Sequence, residues 1–134
     1  MSTHSKEPSD QTSEFESDGV KSEELLSSGS AWNGKAYEKY PAGKPHLTVM
    51  KMHFDANTTL PWHTHPMPNV AYIISGSLTI ENKETGESRK FSAGEAFNES
   101  IDDVHRGYTT DEPAEVIITY AGVEGQALSE PYTS

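Results

Sequence analysis

His63 and His65 are separated by one residue, the spacing that puts two side chains on the same face of a β-strand. On such a face two imidazole nitrogens can reach one metal ion. Pro61, Pro66 and Pro68 bracket the pair, which suits a strand end or edge better than a central ladder position. Two histidines on a solvated face give the same pattern, so the spacing alone leaves both readings open. Other chemistries lack their residues. The chain has no cysteine, hence no disulfide, no Cys-ligated zinc or iron–sulfur cluster and no thiol nucleophile. It has no G-x-S-x-G and no phosphate-cradling glycine loop. Asp102 and Asp103 are adjacent, so their side chains diverge and read as surface charge.

The elements that must carry the histidines are β. His46 to Phe54, Val70 to Ile80 (interrupted by Gly76) and Ala114 to Tyr120 are dense in β-branched and aromatic residues. Turn signals separate them, among them Pro41-Ala42-Gly43, Asp55-Ala56-Asn57, Ala93-Gly94-Glu95 and Asp111-Glu112-Pro113. Gly86 sits where a hairpin loop needs a positive φ. No long helical period or internal repeat occurs after residue 30. Short strands with regular turns predict an all-β sandwich or barrel.

At 134 residues the chain has room for one domain. Residues 1–30 hold nine Ser, seven acids and two Lys, with little to bury, and predict a disordered tail. Within it Ser22-Glu23-Glu24-Leu25-Leu26 is long enough for one helical turn. The barrel is expected over 31–134. Net charge is -11, with -5 in the tail and -6 in the remainder, which argues against nucleic acid or an anionic membrane surface as partner. With no apolar run of spanning length, the expectation is a soluble, cytoplasmic protein.

The segment Pro61-Trp62-His63-Thr64-His65-Pro66-Met67-Pro68-Asn69, with Gly76 beyond, resembles the first motif of the cupin superfamily. Gly94-Glu95 through His105 resembles the second. The likeness covers roughly Pro41 to Ala121 and implies a single small cupin barrel, a double-stranded β-helix or jelly roll. It also implies that His63, His65 and His105 converge on one divalent metal ion per chain. Alone, His105 would read as a structural or surface histidine. Three neutral imidazoles suit Fe, Ni, Cu or Zn and leave coordination positions open; the expected ion is Fe, Mn or Ni, with Zn or Cu as alternatives.

Two departures from the motif matter. Its Glu falls on Asn69, a poor ligand, which places Asn69 beside the metal rather than on it and favours an anionic or chelating substrate. Glu99 stands six residues before His105, where the resemblance implies the barrel interior. There it would be a fourth metal ligand or a catalytic base; the other reading is an exposed loop acid. Ser100-Ile101-Asp102-Asp103 replaces the second motif's Pro and Gly. Trp62, Met67, Tyr72, Phe97 and Tyr108 are candidates for pocket wall or plain core, and Arg106 for an outward salt bridge.

The expected function is a metal-dependent enzyme, an oxidoreductase of dioxygenase-like type acting on a small molecule. Isomerase and lyase chemistry also occur on this fold. The alternatives are a non-catalytic metal-dependent binding or sensing module, and a barrel whose zinc is structural. Ala31 to Pro45 reads as an arm that covers an edge or swaps with a partner, and a homodimer is expected.

Overall fold

The computed structural model describes residues 18–133. Among the described residues nine strands form two antiparallel sheets: β1 (Pro45–Phe54), β2 (His63–Thr64), β3 (Asn69–Ser75), β4 (Ser77–Asn82), β5 (Ser88–Ser92), β6 (Ala96–Glu99), β7 (His105–Tyr108), β8 (Ala114–Val123) and β9 (Glu130–Pro131). One sheet runs β1-β8-β3-β6 and the other β5-β4-β7-β2-β9. The crossings between sheets make the jelly roll of a cupin barrel, the all-β architecture that the sequence predicts. No helix among the described residues is long and apolar enough to cross a membrane.

Alternation fills the space between the sheets. β3 buries Asn69, Ala71 and Ile73, and β8 buries Ala114, Val116, Ile118 and Tyr120, each strand turning every second residue inward. Leu78, Ile80 and Phe91 close the core from the facing sheet, and Phe97 joins them from β6 beside β3. Phe91 stacks on Phe97 with ring centroids 4.6 Å apart.

Gly76 makes the single-residue turn between β3 and β4 at φ +73°. A side chain there would strike the Pro113 carbonyl oxygen, which lies 2.0 Å from where a Cβ would sit. Gly86 takes φ +75° in the β4–β5 hairpin. Asp102 adopts φ +63° in the β6–β7 loop, and its N–H donates to the His65 carbonyl.

Ala31–Pro45 does cover an edge, and the edge is the chain's own. β6 ends its sheet, and the Trp32 N–H donates to the Asn98 carbonyl while Asn98 Nδ2 donates to the Ser30 carbonyl. Lys35 meets Asp103 at 2.6 Å, so Asp103 is a tether for the arm and not simple surface charge. The expected helical turn at Ser22–Leu26 does not form: that segment is coil, with Leu25 exposed. Its apolar residues find no helical face to share, and Leu26 instead lines a groove beside Tyr40 and Val70. Most of the expected disordered tail, residues 1–17 with His4, lies outside the described residues.

Candidate metal centre

β2 is short because prolines flank it, and it lies between β7 and β9. This places His63 directly opposite His105 in the β2–β7 pair, with His65 one residue beyond the strand. The three rings sit 4.6–4.9 Å apart between centroids. Each offers a ligand atom within 4.8 Å of the other two.

Backbone carbonyls fix the tautomers. His63 Nδ1 donates to Pro61 at 2.8 Å, His65 Nδ1 to Leu128 at 2.7 Å and His105 Nδ1 to Asp103 at 2.9 Å. A carbonyl only accepts, so each Nδ1 carries the proton and each neutral ring presents a lone pair at Nε2. Ligating histidines are commonly held by such a bond at their other nitrogen.

Glu99 completes the cluster from β6. Its Oε2 lies 2.8 Å from His105 Nε2 and its Oε1 lies 3.3 Å from His65 Nε2. The carboxylate is buried, which removes the loop-acid reading. Yet His105 Nε2 makes no aligned hydrogen bond. A lone pair facing a carboxylate oxygen at this distance requires positive charge between them, from a proton or a cation. Burial alone would raise the Glu99 pKa; His105 and His65 outweigh it and hold the carboxyl far below its usual range. Burial would lower His105, but the Glu99 charge raises it, whereas burial dominates at His63 and lowers it. The three Nε2 lone pairs, the orphaned one of His105 among them, form a donor set that fits a divalent transition metal, and the Glu99 carboxylate lies against two of them.

Asn69 faces inward between Glu99 and Tyr120, its register partners on β6 and β8. Both of its side-chain polar atoms are buried without a protein partner among the described residues. Among the wall candidates, Trp62 and Phe97 line the cavity beside the histidines. Met67 is fully buried core, Tyr72 is exposed and Tyr108 is half-buried, bridging to Thr59. Arg106 turns outward to Glu81 at 3.0 Å and lies over the Trp62 ring. His53 pairs with Asp55 outside the site.

Sequence reasoning missed two contributors. Tyr120 is inward by strand parity with Val116 and Ile118, a legible signal, and its ring lies 5.5 Å from His65. Burial first, then the Glu99 charge, push its hydroxyl up to about 12, so it stays protonated. The C-terminal segment is the other: β9 pairs with β2, and Leu128 orients His65. The strand is two residues long and carries no periodicity to read.

The cavity beside the centre measures about 270 Å³ and includes Phe54, Leu60, Leu78, Ile80, Ile118 and Ser129. Larger grooves exist, but they lie outside the barrel along the N-terminal arm and the β6–β7 loop. They contain none of the three histidines, whereas the smaller space is lined by His63 and His65.

The sequence model of the cupin domain matches residues 50–120, more than half of the chain. No curated protein matches. Solved structures with a similar fold include DMSP lyase DddQ from Ruegeria pomeroyi DSS-3, at 20% identity and TM-score 0.57, covering 66% of this chain and 45% of that one. The polyketide cyclase RemF from Streptomyces resistomycificus aligns at 18% identity and TM-score 0.54 over 69% of this chain and 64% of its own. KdgF from Halomonas sp. aligns at 25% identity and TM-score 0.50, over 62% and 76%. The chain spans less than half the length of the DMSP lyase chains, 45% and 44%.

Proposed function

The chain belongs to the cupin domain family, and from that premise we propose that it is a metal-dependent enzyme, an oxidoreductase of dioxygenase-like type acting on a small chelating molecule. The observation that carries the reading is the set of three Nε2 lone pairs, each fixed by a backbone carbonyl, converging beside a buried carboxylate and an apolar cavity. Side chains arranged only for packing would not leave buried polar atoms unpaired at their centre.

His63, His65, His105 and Glu99 are the residues that would hold one divalent ion per chain, with Fe, Mn or Ni ahead of Zn or Cu. Such an ion would supply Lewis acidity toward a chelating substrate and an activating centre for O₂. Glu99 contributes a carboxylate oxygen able to take a proton from a substrate hydroxyl. Tyr120, protonated at neutral pH, can donate a hydrogen bond to a substrate oxygen. Phe54, Leu78, Phe97 and Ile118 keep bulk water from the reacting atoms.

The deciding experiment is elemental analysis of untagged protein purified without chelators, beside His105→Ala. About one equivalent of Fe, Mn, Ni or Cu, lost in the variant, is the expected result, followed by oxygen uptake with small chelators. Stoichiometric Zn without oxygen uptake would move the assignment to hydrolytic, isomerase or structural roles. No metal after reconstitution would replace it with a non-catalytic binding module.

A further inference from the structure

The wall of the cavity is chemically one-sided. Apart from His63, His65, Glu99, Tyr120 and Ser129, its side chains are apolar, and neither Lys nor Arg lines it. Two cations do lie against Trp62: Arg106 is committed to Glu81, and Lys83 stacks over the Trp62 and Tyr132 rings. Neither lines the cavity.

From this wall, and resting on the metal-dependent reading above, we infer the substrate class: a small molecule with one oxygen-chelating head carrying a single negative charge when bound, and an uncharged apolar body the size of one ring or a short branched chain. Charge sets the first half. A divalent ion beside the Glu99 carboxylate leaves one net positive charge, which a singly ionised head neutralises. A second anionic group would be buried among Leu78, Ile80, Phe97 and Ile118 with nothing to pair it, at a cost of several kcal/mol. The absence of the motif carboxylate at position 69 suggests a more cationic centre and an anionic substrate; Glu99, by restoring the carboxylate, narrows that expectation to a single ionised head.

Volume sets the second half. An apolar cavity of about 150 Å³ accepts benzene. The cavity here, about 270 Å³, accommodates one ring with short substituents and is smaller than most sites for drug-sized ligands.

Two probes with the same chelating head separate the claim from its alternatives: benzohydroxamate and 4-carboxybenzohydroxamate, titrated calorimetrically into Zn(II)-reconstituted full chain. Zinc content is measured first. The expected result is binding of benzohydroxamate at least about tenfold tighter, because the added carboxylate has no cation to meet. Equal affinity, or a preference for the carboxylated probe, would overturn the inference and leave the metal reading standing. A full chain that takes up no zinc would overturn both, and the metal measurement identifies that case. Leu60→Lys places a cation in the wall and should narrow the gap; a gap that it leaves unchanged would also count against the inference.

Discussion

Asn69 on β3 and Glu99 on β6 are direct cross-strand partners, and both face the barrel interior. The residue that stands where the cupin motif carries its glutamate is thus opposite a glutamate on the neighbouring strand. Directly paired positions have Cβ atoms about 5 Å apart. A carboxylate can cross that gap and still reach the same ion, and Glu99 touches both His65 and His105. On the proposed reading, the site would keep three histidines and one carboxylate, with the carboxylate donated from the other side of the β3–β6 pair.

That relationship predicts a rescue. Glu99→Gln should weaken metal binding at least about tenfold in a competitive chelator titration, since the lost charge also stabilised the buried centre. Adding Asn69→Glu to Glu99→Gln should recover most of the loss by returning the carboxylate to β3. The two positions would then be strongly non-additive. Additive losses, with no recovery in the double variant, would mean that they do not serve one ion.

The C-terminal segment should be part of the metal site rather than trim. The Leu128 carbonyl holds His65 Nδ1 at 2.7 Å, and β9 pairs with the strand that carries His63. Ending the chain after Gln126 removes both. Loss of such an outer partner commonly costs about 10–100-fold in metal affinity, and the same is expected here by chelator competition. The truncated chain should retain its β circular dichroism, because β9 contributes only two residues to its sheet. Full affinity in the truncated chain would remove the segment from the site.

Much of this architecture is legible in residue types because alternation and turn chemistry are local. β1, β3 and β8 follow from runs of Val, Ile, Met and Phe, and Gly86 from the turn that needs it. His63 and His65 share a face by spacing alone. Glu99 required more: a four-residue strand ending in Glu looks like a loop acid until its cross-strand neighbours are known. Tyr37 donating to the Glu99 carbonyl at 2.8 Å joins residues far apart in sequence, as does Leu128 with His65. Backbone carbonyls are the acceptors in both, and a carbonyl has no residue type to recognise. The failed turn at Ser22–Leu26 shows the converse, a locally reasonable helix without a surface to bury its leucines.

Gly76 tests the sheet crossing itself. Gly76→Ala must place a Cβ against the Pro113 carbonyl oxygen while holding φ near +73°. The left-handed backbone alone costs about 1–2 kcal/mol for a non-glycine residue. With the backbone clash added, destabilisation of about 3 kcal/mol or more is expected in urea unfolding. A change under about 1 kcal/mol would show that the β3–β4 turn and the Pro113 loop move apart freely.

The outer face of the β1-β8-β3-β6 sheet should be where two copies of the chain meet. Leu47, Val49, Val70, Tyr72 and Ile74 are all exposed there. The register sets Val49, Thr119 and Val70 side by side across three strands, with Leu47 beside Ala121. Lys51, at the margin, is engaged by Glu115. A chain of net charge -11 repels its copies, and on this largely apolar face the Lys51–Glu115 pair adds no net charge. β1 is also a ten-residue edge strand with one partner among the described residues, an edge that soluble proteins usually cover. Light scattering should therefore give about twice the 14.7 kDa chain mass. Val49→Asp should give monomers that keep their metal, because Val49 lies on the face opposite the histidines. A monomeric wild-type chain would refute the pairing, and a dimer indifferent to Val49→Asp would place it on another surface.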